Sequence, residues 1–179
     1  MRKDRPCTWT ISGLIILRKP DLKFLFDHPA NFIALGFGAG LAPKAPGTVG
    51  SLVAFPLWGV LILLPSAVCW GLVVAGFVGG IWVCAKAAHG LGKADHGGIV
   101  WDEIVAMVAV LLMAPAGWMW WIAAFVCFRI FDIWKPFPIS YFDRTLKGGF
   151  GVMFDDLLAA IYAVAVLRTI EQILIRGLV

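Results

Sequence analysis

The chain has 179 residues, of which 61% are apolar and 15% charged, and its net charge is +4. A soluble globular domain is nearer half apolar and a quarter charged, so the composition excludes an ordinary soluble domain and favours membrane helices. The net charge is modest, and the early Lys and Arg residues sit ahead of the first long apolar run, a pattern that fits an anionic membrane surface better than a nucleic acid.

Residues 1–30 are basic and hold only a short apolar stretch at 11–17, followed by Arg18, Lys19 and Pro20. No small-residue cleavage pattern follows, so this part reads as a cytoplasmic or interfacial segment rather than a cleaved signal. Residues 31–179 read as the membrane domain. A half-span at 32–41 precedes a first apolar run at 49–64, and further runs cover 66–88, 99–114, 117–134 and 152–175. Backbone groups in lipid must pair internally, so each run predicts a helix. The expectation is an all-α, polytopic membrane protein with about four to five membrane-embedded helices. The fifth run is alternatively a re-entrant or interfacial helix.

The links at 64–66 and 114–117 are short, uncharged and contain proline, as turns between antiparallel neighbours do. Charge gathers instead in 2–44, 86–96 and 135–147. The positive-inside rule places those three on the cytoplasmic side. Trp118, Trp120 and Trp121 suit an interfacial aromatic belt, and the pairs Gly36/Gly40 and Gly76/Gly80 suit close helix packing. Cys7, Cys69, Cys84 and Cys127 form no CxxC pair, and three of them lie inside apolar runs, as small buried hydrophobes do.

The acids fall at the same boundary as the basic loops. Asp95 precedes the third run, Asp102 and Glu103 open it, Asp132 lies near the end of the fourth, Asp143 sits in the loop after it, and Asp155 and Asp156 begin the fifth. Charge at that depth needs partners. The adjacent pairs Asp102–Glu103 and Asp155–Asp156 repel internally, and a divalent cation with hard oxygen ligands (magnesium, calcium or manganese) removes the conflict. The plainer alternative is interfacial acids paired with Lys and Arg.

Arg129 and Asp132 are three apart and share a helix face, with Lys135 one turn later before Pro136. Arg129 suits a phosphate or a plain salt bridge to Asp132. Segment 43–51 holds Lys44 and the candidate N-cap Thr48. It offers free N–H groups to phosphate, or simply caps a helix; the Walker spacing is absent. Segment 148–151, rich in glycine, reads as a second flexible loop. His89 and His96 flank Asp95 without zinc-site spacing, and no GxSxG elbow occurs. The residues imply metal-assisted chemistry on an anionic, phosphorylated substrate at membrane level.

Four stretches together carry a resemblance: Pro43-Lys44-Ala45-Pro46-Gly47-Thr48-Val49-Gly50-Ser51-Leu52, Asp95-His96-Gly97-Gly98-Ile99-Val100-Trp101-Asp102-Glu103, Phe128-Arg129-Ile130-Phe131-Asp132-Ile133-Trp134-Lys135-Pro136-Phe137-Pro138-Ile139, and Asp143 through Gly148-Gly149-Phe150-Gly151-Val152-Met153-Phe154-Asp155-Asp156. In this order, from about residue 31 onward, they resemble the phosphatidylglycerophosphatase A family. The resemblance implies magnesium-dependent hydrolysis of phosphatidylglycerophosphate to phosphatidylglycerol and phosphate. It also implies a bacterial inner-membrane location, a site facing the cytoplasm, and membrane phospholipid as the partner. By position it implies Asp95, Asp102, Glu103, Asp132 and Asp156 as catalytic groups, and Asp102, Glu103, Asp132, Asp155 and Asp156 as metal ligands. Arg129, Lys135, Lys44 and Thr48 would bind the phosphate. The DGxxAR pattern of CDP-alcohol phosphotransferases is absent. A divalent-cation transporter, the non-enzymatic alternative, needs polar groups in mid-membrane, where these runs have almost none.

Overall fold

A computed structural model describes residues 19–93 and 96–177. Among these residues every regular element is helical. In chain order they are α1 (Leu22–Asp27), α2 (Pro29–Ala34), a 3-10 segment (Gly36–Leu41), α3 (Pro46–Leu61), α4 (Ser66–Leu91), α5 (Trp101–Met113), α6 (Trp118–Trp134), α7 (Ile139–Thr145) and α8 (Gly148–Gly177).

α5 is the centre. Every residue from Ile104 to Leu111 is buried, so this helix is covered all round. It packs against α3, α4, α6 and α8. Its apolar side chains join Ala54 of α3, Ala124 and Phe128 of α6, and Ala159, Ala160, Ala163 and Leu167 of α8 in one core. A second core lies at the C-terminal half of α4, where Val83, Cys84, Ala87 and Leu91 meet Phe24 and Leu25 of α1 and Ala30 and Ala34 of α2. Residues 22–27 are thus packed into the body. Cys69, Cys84 and Cys127 are free thiols.

Helix lengths correct the expected span count. Among the described residues two helices, α4 with 26 residues and α8 with 30, are long and apolar enough to cross a membrane, fewer than the four to five membrane-embedded helices expected. α3 and α6 have 16 and 17 residues, and α5 has 13. At about 1.5 Å per residue α5 spans only about 20 Å, short of the roughly 30 Å hydrocarbon core. For α5 the apolar run at 99–114 is longer than the helix, because Ile99, Val100 and Ala114 extend it at both ends. α4 is not the core helix of a soluble protein, since only 22% of its apolar window is buried. Val74 and Val78 stand on its outer face, more than half exposed.

Two further expectations change. The half-span at 32–41 is broken: α2 ends at Ala34, and inside the 3-10 segment that follows, Phe37 and Gly38 take φ of 58° and 105°. Residues 148–151 are not a flexible loop but the opening turn of α8. Their glycines serve contact: a Cβ on Gly149 would lie 1.9 Å from the Ile81 carbonyl oxygen of α4, and one on Gly151 2.4 Å from that of Leu146. These are backbone atoms of packed segments and cannot swing aside. Gly149→Ala should therefore push α8 off α4 and cost about 1–3 kcal/mol. Gly79→Ala, at a position in α4 with open space around it, should cost nothing. Thermal unfolding of both variants in detergent checks the contrast.

Candidate active site

The site forms where the N-terminus of α5, the C-terminus of α6, α7 and the first two turns of α8 converge. They enclose a cleft of about 150 Å³ whose walls include Asp102, Glu103, Asp132, Asp143, Asp155 and Asp156, with Lys135 and Lys147. Asp102, Asp155 and Asp156 are buried.

Short-range features place each group. The strap before α5 is pinned on two sides. The Val100 N–H donates to the Ala34 carbonyl at 2.9 Å, and Gly98 packs so tightly on Gly40 that a Cβ on Gly40 would sit 1.9 Å from the Gly98 oxygen. The Trp101 indole N–H donates to the Gly76 carbonyl of α4 at 3.0 Å, fixing the first turn of α5. Asp102 and Glu103 follow directly. On α6, Arg129 and Asp132 share a face as their spacing predicts. Lys135 caps the helix in the left-handed conformation, φ 44°, and Pro136 after it cannot continue the helix. α7 then returns Asp143 to the cleft.

Carboxylate oxygens of Glu103, Asp132 and Asp156 all lie within 4.8 Å of one another. Four buried carboxylate oxygens (Asp102 Oδ1, Glu103 Oε2, Asp155 Oδ1 and Asp156 Oδ2) have no hydrogen-bond partner in the protein. Leaving such atoms bare is costly. A hard divalent cation held by the trio would take up carboxylate oxygens of Glu103 and Asp156, two of the four residues with bare oxygens, so the donor set fits one.

Arg129 Nη1 lies 3.0 Å from Glu103 Oε1, 2.5 Å from Asp132 Oδ2 and 3.4 Å from Ser51 Oγ. Its charge is thus spent on holding two members of the trio. Lys135 Nζ bridges Asp143, at 2.6 Å, and Asp155. Burial alone would lower the Lys135 ammonium, but its bonds to Asp143 and Asp155 hold it well above its ordinary range. Partial burial would raise the Asp143 carboxyl, but Lys135 pulls it below its ordinary 3.8.

The first motif has a different place from the one its sequence suggests. Thr48 is not the N-cap. That position is Ala45, left-handed at φ 46° with no side-chain cap bond, and Pro46 opens α3. Lys44 is exposed and does not line the cleft. Thr48 lines a separate apolar hollow beside Ile130 and Ile133 of α6. What the motif brings to the site is absence of bulk: a Cβ on Gly47 would meet Glu103 Oε1 at 1.8 Å and its Cδ at 2.6 Å. Asp95 lies outside the described residues. Asp143, already singled out among the boundary acids, and Lys147, at the end of the charged 135–147 link, both line the cleft.

An all-helical apolar body thus gathers acids and lysines into one cleft, a set of groups that can hold a cation and an anionic phosphate. The chain belongs to the phosphatidylglycerophosphatase A family: residues 32–171 match the family profile described as phosphatidylglycerophosphatase A. The phosphatidylglycerophosphatase A of Escherichia coli (strain K12) is 43% identical over 142 residues, 79% of this chain and 83% of the relative. That of Haemophilus influenzae is 48% identical over 155 residues, 85% and 94% of the two chains. A Bacteroides thetaiotaomicron protein, provisionally named a phosphatidylinositol-3-phosphatase, is 44% identical over 139 residues, 73% and 86% of the two chains. No solved structure matches.

Two outcomes follow for the charges. Arg129→Gln should destabilise the protein by about 3–5 kcal/mol, because it strands Glu103 and Asp132 together; a denaturant titration in detergent reads this. The Lys135–Asp143 pair should hold across neutral pH. The share from Asp143, whose folded value is depressed, is present above its unfolded value of about 3.9 and fades as pH falls through the folded one. The share from Lys135, whose folded value is raised, is full below about 10.4 and is lost only at higher pH. The melting-temperature gap between wild type and Asp143→Asn should therefore be widest near neutrality and shrink steadily below about pH 4.

Proposed function

We propose that this chain hydrolyses the terminal phosphate monoester of phosphatidylglycerophosphate, giving phosphatidylglycerol and inorganic phosphate, with magnesium as cofactor. The observation that carries the reading is the Glu103, Asp132 and Asp156 trio within 4.8 Å, beside two lysines in one cleft. The names of the E. coli and H. influenzae relatives support the substrate. The two long apolar helices and the outward apolar face of α4 support a multi-pass inner-membrane enzyme whose cleft faces the cytoplasm, with membrane phospholipid around it.

Charge balance supports the metal. Six carboxylates line the cleft against Lys135 and Lys147, with Arg129 already paired. A phosphate dianion would be repelled from such a site unless cations offset the acids. Glu103, Asp132 and Asp156 would hold magnesium, with Asp102 and Asp155 beside them. When bound, it supplies charge neutralisation and Lewis-acid polarisation of the phosphoryl oxygens.

The chain's own residues supply the rest. Lys135 and Lys147 present ammonium groups to the phosphate oxygens, and Asp143 and Asp155 keep Lys135 in place. Arg129 is a positioning residue, acting through Glu103 and Asp132. A water oxygen attacks phosphorus and the ester P–O bond breaks. A buried carboxylate, Asp102 or Asp156, takes the proton from the water and passes it to the departing glycerol oxygen. The acids sit at one end of α5 rather than along a path through the bundle, which suits cutting a headgroup better than carrying a cation across.

Purified protein in detergent should release phosphate from phosphatidylglycerophosphate with magnesium, and excess chelator should stop it. No release under any divalent cation, from folded protein, would remove the phosphatase reading. Asp102→Asn and Asp156→Asn should each cut the rate by at least about a hundredfold without unfolding the protein, as loss of a central catalytic group does. Glu171→Gln, whose carboxylate pairs only with Arg168 far along α8, should leave the rate unchanged.

A further inference from the structure

A second cavity, of about 220 Å³, runs between α4, α5 and α8. Val74 and Phe77 of α4, Ala106 and Ala109 of α5 and Leu157 of α8 line it, and the single ionisable residue in its wall is Asp102. Asp102 also lines the acid cleft, so the wet cavity and the dry one meet on one side chain. The apolar walls give water almost nothing to bond, and the volume exceeds the roughly 150 Å³ of an apolar cavity that takes up benzene. Val74 is largely exposed on the outer face of α4, so the groove is open from the side of a helix long enough to cross a membrane.

We propose that this groove holds one fatty acyl chain of the lipid whose phosphate enters the cleft, an inference that rests on the phosphatase reading above. The occupant follows from continuity: a phosphate among the acids and lysines places the glyceride end of the same molecule beside Asp102, where the apolar walls begin. A chain leaving the bilayer finds the groove no more apolar than the lipid it left. The groove therefore adds little affinity; it sets the depth and direction from which the headgroup meets the cleft, and such positioning acts on the rate.

The test uses a phosphatidylglycerophosphate with a diazirine in mid-chain, bound in chelator to the full-length protein in phosphatidylcholine vesicles and then irradiated. Label should appear at Ala106 and Ala109 of α5, which are buried and line the groove. Val74→Trp, a change on the exposed rim, and Ala109→Phe should each remove that label. With magnesium, both variants should lose about tenfold in hydrolysis of the diacyl substrate and keep within about twofold the rate on deacylated glycerophosphoglycerophosphate, since a misplaced headgroup alone can cost a hundredfold. Retained folding on the deacylated substrate separates groove filling from misfolding. Label confined to the outer faces of α4 and α8 overturns the proposal. So does equal labelling of α5 by phosphatidylcholine carrying the same diazirine, and so does an equal loss on both substrates in variants of unchanged melting temperature. Wild-type protein that releases phosphate from neither substrate defeats the phosphatase reading instead, and the labelling still decides whether the groove takes a chain.

Discussion

Mutual repulsion among carboxylates is the constraint on which the rest of this structure depends. Six acids share a cleft of about 150 Å³, several with oxygens cut off from water. An apolar body offers no solvent to screen them. Arg129 and Lys135 are the counterweights, each bridging two acids from different elements. The bridges also tie α5 to α6 and the turn after α6 to both α7 and α8, so the same contacts that tame the charge set the arrangement of helix ends. The protein neutralises these acids only in part, and the remainder is the electrostatic drive for a cation.

Close backbone approach is the second condition. Carboxylates from α5, α6 and α8 reach one another only if the helix ends crowd together, and four glycines permit it. Gly47 lets Glu103 press on α3, Gly40 receives the strap before α5, and Gly149 and Gly151 seat the start of α8. These glycines make room for charged side chains on neighbouring elements to meet in the cleft. Core packing completes the frame, with α5 buried from Ile104 to Leu111.

Much of this was readable from local signals. Apolar runs mark α3 to α6 and α8 within a few residues, and the spacing of Arg129 and Asp132 foretells their salt bridge. Acids clustering at run boundaries foretell the convergence on one end of the bundle. Long-range contacts leave no such trace. Nothing local tells that Gly47 faces Glu103, 56 positions away by residue number, so the first motif looks like a capped, phosphate-ready loop. The brevity of α5 is hidden because Ile99, Val100 and Ala114 are apolar yet lie outside the helix. The helical state of 148–151 is hidden because Gly favours loops, and only packing against Ile81 overrides that preference.

Assembly order gives the arrangement of α8 its own significance. Asp155 and Asp156 come from the element that follows every other described one, and the same helix closes one wall of both cavities. Chains emerge from the ribosome N-terminus first. A nascent chain holding only the elements through α7 already carries Asp102, Glu103 and Asp132 but lacks the wall that would gather substrate beside them. Both the cleft and the groove are therefore incomplete until translation has passed α8, and a product stopped at α7 lacks two of the six carboxylates and a wall of each cavity.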